Sequence, residues 1–462
     1  MRFPLALIAI AVVVAVASFV ADHPGRVEIA WRDWQIETSV GVLAAAAVAL
    51  GLAVAALVAV LRAVLAWPRR WRAFQRERRR RAGYAALTGG LVALAAGDAE
   101  EAQRQARRAV PLLDDVPLSL VLSAEAARLG GDGAAARAAW TAMLDRPATA
   151  VIGLRGLFAE AVQQGDHAAA LGYAERARRL RASARWAVEG ALALQLRAGR
   201  WEEARDSLTD AARLGIVPPA RARHHRAVIL VELAAAAAAQ GDWRHAASLA
   251  ARAQGLAPDL APATCRRVEA LRVLGRIRAA RKTLARAWAI APHPALAELD
   301  ADMHRGDPPL ARVGTAQALA AANPEAEESL LLVAAAALEA RLWGEARRQL
   351  GLAVARAGAA GPSRRVCLLM AQLEDGERPG GAAGRDWLAR AVAAPPGPRY
   401  LCRGCGAEAA SWQALCPHCG EFDTLAWTEA AAPPRPAAPP VAVEAPLLPA
   451  PSGLAPAGQS DN

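Results

Sequence analysis

The chain has 462 residues, 54% of them hydrophobic and 21% charged, with a formal net charge of +11. Arg62 to Arg81 holds nine arginines against one glutamate, so most of the basic excess is local and little is left for an extended nucleic-acid-binding face. Lys282 is the only lysine; arginine elsewhere reflects a compositional bias, and nucleic acid is not an expected partner. The length allows two or three domains or one extended array.

Residues 3–20, FPLALIAIAVVVAVASFV, carry no charge, and neither does VGVLAAAAVALGLAVAALVAVL from Val40 to Leu61. An α-helix rises about 1.5 Å per residue, so roughly 20 apolar residues cross a hydrocarbon core about 30 Å thick. The second run meets that length; the first is short and requires local thinning. Arg2 precedes the first run, and Arg62, Arg69, Arg70, Arg72, Arg76 and Arg78 to Arg81 follow the second. Arginine beside a span is retained in the cytoplasm. The pattern predicts a two-helix membrane hairpin over residues 1–66, an external loop at 21–39, and a cytoplasmic basic segment at 67–82. Trp31 and Trp34, and Trp67 and Trp71, stand where interfacial anchors belong. The AVAS at 15–18 also offers a signal-type cleavage site, which would leave the second span as sole anchor. Within the loop, Val27, Ile29 and Trp31 alternate, then Trp34 and Ile36; the change of phase across Arg32 and Asp33 predicts a small β-hairpin.

A phrase then recurs: GDAEEA at Gly97, GDGAAA at Gly131, GDHAAA at Gly165, GRWEEA at Gly199, GDWRHA at Gly241, GRIRAA at Gly275, GDPPLA at Gly306 and RLWGEA at Arg341. Alanine stands five residues into every copy: Ala102, Ala136, Ala170, Ala204, Ala246, Ala280, Ala311 and Ala346. It returns seven residues later at Ala109, Ala177, Ala211, Ala253, Ala287, Ala318 and Ala353, with Met143 the exception. Glycine permits the turn that closes one helix, and two small residues seven apart share a helical face that lets a partner helix approach closely. Pro258 and Pro292 fall where a helix stop is due. A period near 34 residues with these features resembles the tetratricopeptide repeat, predicting an all-α superhelix over 83–394 whose groove docks protein partners. One interval is 42 residues, an insertion around LGIVPPARARHH.

Four of the six cysteines lie together: Cys402 and Cys405 in one C-x-x-C, Cys416 and Cys419 in another. Gly404, Gly406 and Gly420 ease the backbone around them. Four thiolates suit tetrahedral zinc, with iron in a rubredoxin-like site as the alternative. Disulfides fit poorly with a reducing cytoplasm. Residues 399–428 are therefore expected to form a zinc-ribbon or rubredoxin-like module with a closed, structural metal. His418 is expected to face solvent; Trp412, Phe422 and Trp427 are expected to supply the module's few apolar contacts. Cys265 and Cys367 read as small apolar core residues. The segment 429–462 is too rich in proline for helix or sheet and is expected to be disordered.

EIAWRDWQIETSVGV, the second span, and WPRRWRAFQRERRRRAGYAALTGGLVALAAGDAEEAQRQARRA together resemble the N-terminal region of the HemY family of inner-membrane proteins, over about the first 110 residues. This is the repeat-bearing HemY, not the flavin oxidase of the same name. The resemblance implies a membrane-tethered cytoplasmic scaffold linked to a late step of haem (protoporphyrin) formation, with haem-pathway enzymes as candidate partners. It brings no catalytic residue, and no motif supports haem or porphyrin binding. The cysteine module resembles that of LapB-type proteins, which implies an adaptor that recruits enzymes of lipopolysaccharide assembly; those proteins have one N-terminal span, not two. An enzyme using His224, His225 and the cysteines is the third class. Neighbouring helical residues point about 100° apart, which disfavours a shared ligand position for the two histidines.

Overall fold

The computed structural model describes residues 25–31, 34–113 and 117–428, together with Val14 and Ser18. Apart from Val14 and Ser18, the first apolar run and the candidate cleavage site lie outside the described residues, as does the segment 429–462. The chain divides into two compact units, Met1–Gly130 and Gly131–Asn462.

In the first unit β1 (Arg26–Trp31) pairs antiparallel with β2 (Trp34–Ser39), setting Ile29 opposite Ile36 and Trp31 opposite Trp34. That register follows from the two alternating runs on either side of Arg32 and Asp33. Ser39 caps the next helix by accepting the Val42 N–H. This helix, α1 (Val40–Ala96), runs for 57 residues through the span, the basic segment and the first repeat helix without a break. Its portion Val40–Arg62 has a mean hydropathy of 2.7 and none of it is buried by protein, as a helix facing lipid requires. It is the one candidate membrane helix among the described residues. Trp67 and Trp71 are exposed beyond its end. The helices α2 (Ala99–Ala109) and α3 (Pro117–Leu129) pack with the end of α1 around Leu87, Ala106, Ala109 and Leu122.

The second unit continues the helical pairs: α4 (Gly133–Met143), α5 (Ala150–Gln163), α6 (His167–Leu180), α7 (Arg185–Arg197), α8 (Trp201–Arg213), α9 (Pro219–Ala239), α10 (Trp243–Leu256), α11 (Ala261–Val273), α12 (Ile277–Ile290), α13 (Pro294–Met303), α14 (Pro309–Ala320), α15 (Glu327–Glu339), α16 (Trp343–Arg356), α17 (Arg364–Glu377) and α18 (Ala382–Ala393). Consecutive helices pack in antiparallel pairs, and first helices of successive units adjoin, α9 with α11 and α11 with α13. The core is accordingly a chain of small clusters shared between neighbours, such as Leu230, Leu249 and Ala263, then Leu284, Trp288 and Leu332.

The recurring phrase is a helix stop joined to a helix start. Gly97, Gly131, Gly165, Gly199, Gly241 and Gly275 all adopt positive φ, the left-handed closing turn that a Cβ opposes. The following Asp98, Asp132, Asp166 and Asp242 each accept the N–H three residues on, at 2.9–3.0 Å, and so cap the second helix. At the eighth copy Arg341 takes the same left-handed position at φ 58°. The paired small residues are buried in seven copies, from Ala102 and Ala109 to Ala346 and Ala353, with Met143 buried in its place. The seventh copy departs from the expected frame: Ala311 and Ala318 are exposed, while Val313 and Ala320 are buried. Pro308 and Pro309 start that helix later than a Gly-Asp turn would, and the buried pair moves on by two residues. The 42-residue interval lengthens α9 to 21 residues, where most repeat helices have 13 or 14.

Candidate metal centre

The end of the second unit is a three-stranded sheet, β3 (Arg399–Cys402), β4 (Glu408–Ala409) and β5 (Leu425–Thr428), in the order β4-β3-β5. Two similar loops project from it. In one, the Gly406 N–H donates to the Cys402 carbonyl; in the other, the Gly420 N–H donates to the Cys416 carbonyl, both at 2.9 Å. Both glycines have positive φ, 74° and 69°, which turns each loop back over its own thiols.

The four Sγ atoms of Cys402, Cys405, Cys416 and Cys419 lie within 4.8 Å of one another. Cys402 and Cys419 stand 3.7 Å apart, Cys405 and Cys416 3.8 Å. A metal–sulfur bond of about 2.3 Å gives a tetrahedral edge of about 3.8 Å, so the spacing fits one metal ion and is far too long for a disulfide, at about 2.05 Å. All six cysteines are free thiols. Burial alone would raise the Cys402 thiol, but its hydrogen bond with Thr424 at 3.2 Å and the N–H groups of Cys405 and Gly404, which donate to its sulfur, outweigh it and bring it down to about 6. The two N–H donors favour a thiolate, the form a metal binds. Burial pushes the Cys419 thiol up to about 12. His418, between Cys416 and Cys419, is exposed.

The aromatic residues around this centre face the repeats more than each other. Phe422 sits edge-on to His225 with centroids 5.2 Å apart and lies 6.3 Å from Trp201, within the cluster built by α7, α8 and α9. Trp412 contributes both to the knuckle and to the cluster of α9 to α11. The expectation that Phe422 serves the module's own core is thereby corrected, because an interior this small has little volume for large rings and the repeat face accommodates it; Trp412 packs on the knuckle as expected and on the repeats as well. Trp427 packs against Tyr400 and His293 at 5.0 and 4.4 Å.

His293 precedes α13 and is 6% exposed. Its Nδ1 accepts the Ala295 N–H at 3.1 Å, so the proton resides on Nε2, which donates to the Tyr400 hydroxyl oxygen at 3.0 Å. Burial holds this imidazole neutral, with its pKa lowered to about 4. On the lengthened α9, His224 Nε2 lies 3.3 Å from Asp423 Oδ1 and His225 Nε2 lies 3.4 Å from Asp423 Oδ2. The two histidines meet one residue without sharing a position, because its carboxylate offers two separated oxygens. The hydrogen bond to Asp423 raises His224, whereas burial lowers His225. Glu232 on the same helix accepts the Ala414 N–H, and burial raises its carboxyl. Cys367 is buried as expected; Cys265 is only partly so and lines a cavity between α11 and the knuckle, and burial pushes its thiol up to about 12. Asp423, His293 and Tyr400 carry no motif from which their roles could be read. The usable signal was the coincidence of an insertion ending in two histidines with a knuckle in need of support.

Residues 25–131 match the family model described as HemY protein N-terminus. The HemY resemblance read from the loop, the span and the arginine run is borne out over this stretch, which ends at the boundary of the first compact unit. Over nearly its whole length, the chain is 27% identical across 442 residues to the probable magnetosome protein Mms48 of Magnetospirillum gryphiswaldense, covering 93% of each chain. Among solved structures, the Naa15/Naa10 complex bound to HypK-THB aligns at 18% identity with a TM-score of 0.44, covering 67% of this chain and 50% of that one. The TPR2AB domain of yeast Sti1 in complex with pHSP90 aligns at 13% identity and TM-score 0.28, covering 67% and 98%. The repeat assignment here stands on the helix pairs and their buried small residues.

Proposed function

We propose that the chain is a membrane-anchored scaffold whose repeats face the cytoplasm, tied through its HemY-type N-terminus to a late step of haem formation, and that it acts by docking proteins and not by catalysis. The observation that carries this reading is the seat of the cysteine knuckle. It lies on the first helices of three consecutive units, α9, α11 and α13, the face on which such arrays receive partners. Its four thiolates fill a tetrahedral shell, so a metal held there has no position for substrate or activated water; Zn is the favoured ion and iron the alternative. The arginine run after Val40–Arg62 supports a cytoplasmic array, and a second span at residues 3–20 is part of the proposal. Crosslinking in intact membranes, followed by identification of what is held on α11 to α17, tests it. Capture of haem-pathway enzymes, with porphyrin precursors accumulating on deletion, is the expected result. Unchanged tetrapyrrole levels together with capture of lipopolysaccharide enzymes would replace it with the LapB-like adaptor, a reading favoured by the shared pairing of repeats and sulfur knuckle.

A further inference from the structure

Between the knuckle and α9, α11 and α13 lies a cavity of about 550 Å³, lined by Trp201, Tyr400, Trp412 and Trp427 and by the carboxylates of Glu232 and Glu298. Four aromatic rings around one opening are unusual in a chain with 5% aromatic residues. Trp427 is 36% exposed and stands one residue before Thr428, the end of β5. The last described residue, Thr428, therefore follows directly on a ring that lines this cavity. The 34 residues from 429 to 462 that follow begin EAAAPPRPAAPP, and Arg435 is their only basic residue.

We propose that this cavity binds the chain's own Pro433–Pro440, PPRPAAPP, with proline rings against the indoles and Arg435 on Glu298. Proline fixes φ near −65° and has no N–H, so such a run is already extended, loses little entropy on binding, and suits surfaces that offer flat aromatic faces in place of a strand edge. The prolines at 433, 436 and 439 recur every third residue, the period that returns rings to one side of a polyproline helix. Arg266, the cation lining the same cavity, is paired with Glu269 at 3.2 Å, and Glu298 is exposed. From Thr428, the five residues to Pro433 span about 15 Å when extended, enough to turn back over Trp427. A tether this short gives an effective concentration in the millimolar range, which favours the chain's own segment over a proline-rich stretch of another protein. The inference rests on the cavity and the adjoining sequence, and holds whether or not the haem-linked scaffold reading does.

The test uses the full-length chain in detergent and a tail variant carrying Pro433→Ala, Pro434→Ala, Arg435→Glu and Pro436→Ala. A fluorescein-labelled peptide of residues 430–442 is titrated against each by anisotropy. The peptide should bind the tail variant and bind the wild-type chain at least tenfold more weakly, because the site there is filled in cis. Adding Glu298→Arg to the tail variant should weaken binding at least tenfold, and a peptide with Arg435→Glu should recover it. Equal binding to wild type and variant, no binding to the variant, or indifference to Glu298→Arg overturns the proposal. So does an unrelated proline-rich peptide that binds as tightly, which would assign the cavity to a partner. Metal content equal to wild type confirms that each variant retains its knuckle.

Discussion

Asp423 sits in a left-handed backbone conformation, φ 56°, between two histidines that titrate in opposite directions. The hydrogen bond to Asp423 raises the folded-state pKa of His224, so its contribution to the seat is complete below pH 6.5 and is lost as the pH rises through the raised value. Burial lowers His225 and His293, so both favour the folded state when neutral; their contribution is present above pH 6.5 and is lost as the pH falls, for His293 towards about 4. In an NMR titration of the imidazole resonances, His224 should therefore titrate above 6.5 and His225 below it. Asp423→Asn should lower both midpoints, because its carboxylate favours the proton at each. A His224 midpoint unmoved by Asp423→Asn would contradict the pairing of the two residues. None of this was legible in the sequence: the histidine pair was visible, but its partner lies 198 to 199 positions away, and only the fold brings the three together.

At the level of the element, the eight recurrences make a controlled series. Asp166 caps α6 by accepting the Ala169 N–H at 2.9 Å, and Asp166→Ala should cost about 1 kcal/mol. Arg341 occupies the left-handed position that six glycines fill elsewhere. Arg341→Gly should therefore stabilise the α15–α16 turn by up to about 1 kcal/mol despite glycine's greater freedom when unfolded. Gly156 on α5 lies beneath the Trp140 ring, which a Cβ would strike; Gly156→Ala should cost about 1–3 kcal/mol through overpacking. Urea-midpoint shifts of the full chain rank the three, and an Arg341→Gly chain less stable than wild type would contradict the reading of the turn. The helix stops and the buried alanines were legible because both repeat at a fixed spacing. The seventh copy was not, since alanine is frequent enough to satisfy the frame at Ala311 and Ala318 while Pro308 and Pro309 reset where the helix begins. The capping role of Asp98, Asp132, Asp166 and Asp242 was present in the sequence as an acceptor residue just before each helix, but glycine drew the attention.

Over the whole molecule, composition placed the span Val40–Arg62, the repeats and the cysteine knuckle in their order along the chain, because each rests on a local pattern. What it could not supply is which surfaces meet within the second unit. Phe422 and Trp412 look like the core of a small module until the repeat face is present to receive them. The same dependence predicts that chelation loosens more than the knuckle: hydrogen exchange should quicken in residues 221–232 and 293–298 as well as in 399–428, and quickening confined to 399–428 would mean the knuckle is not seated there. The seating of the knuckle depends on reduced sulfurs holding an ion. The most direct measurement is metal and thiol content of the full-length chain purified from membranes without oxygen. One zinc or iron per chain, lost with Cys405→Ser or Cys416→Ser, is the predicted result. A metal-free chain whose four cysteines are joined as disulfides would contradict it.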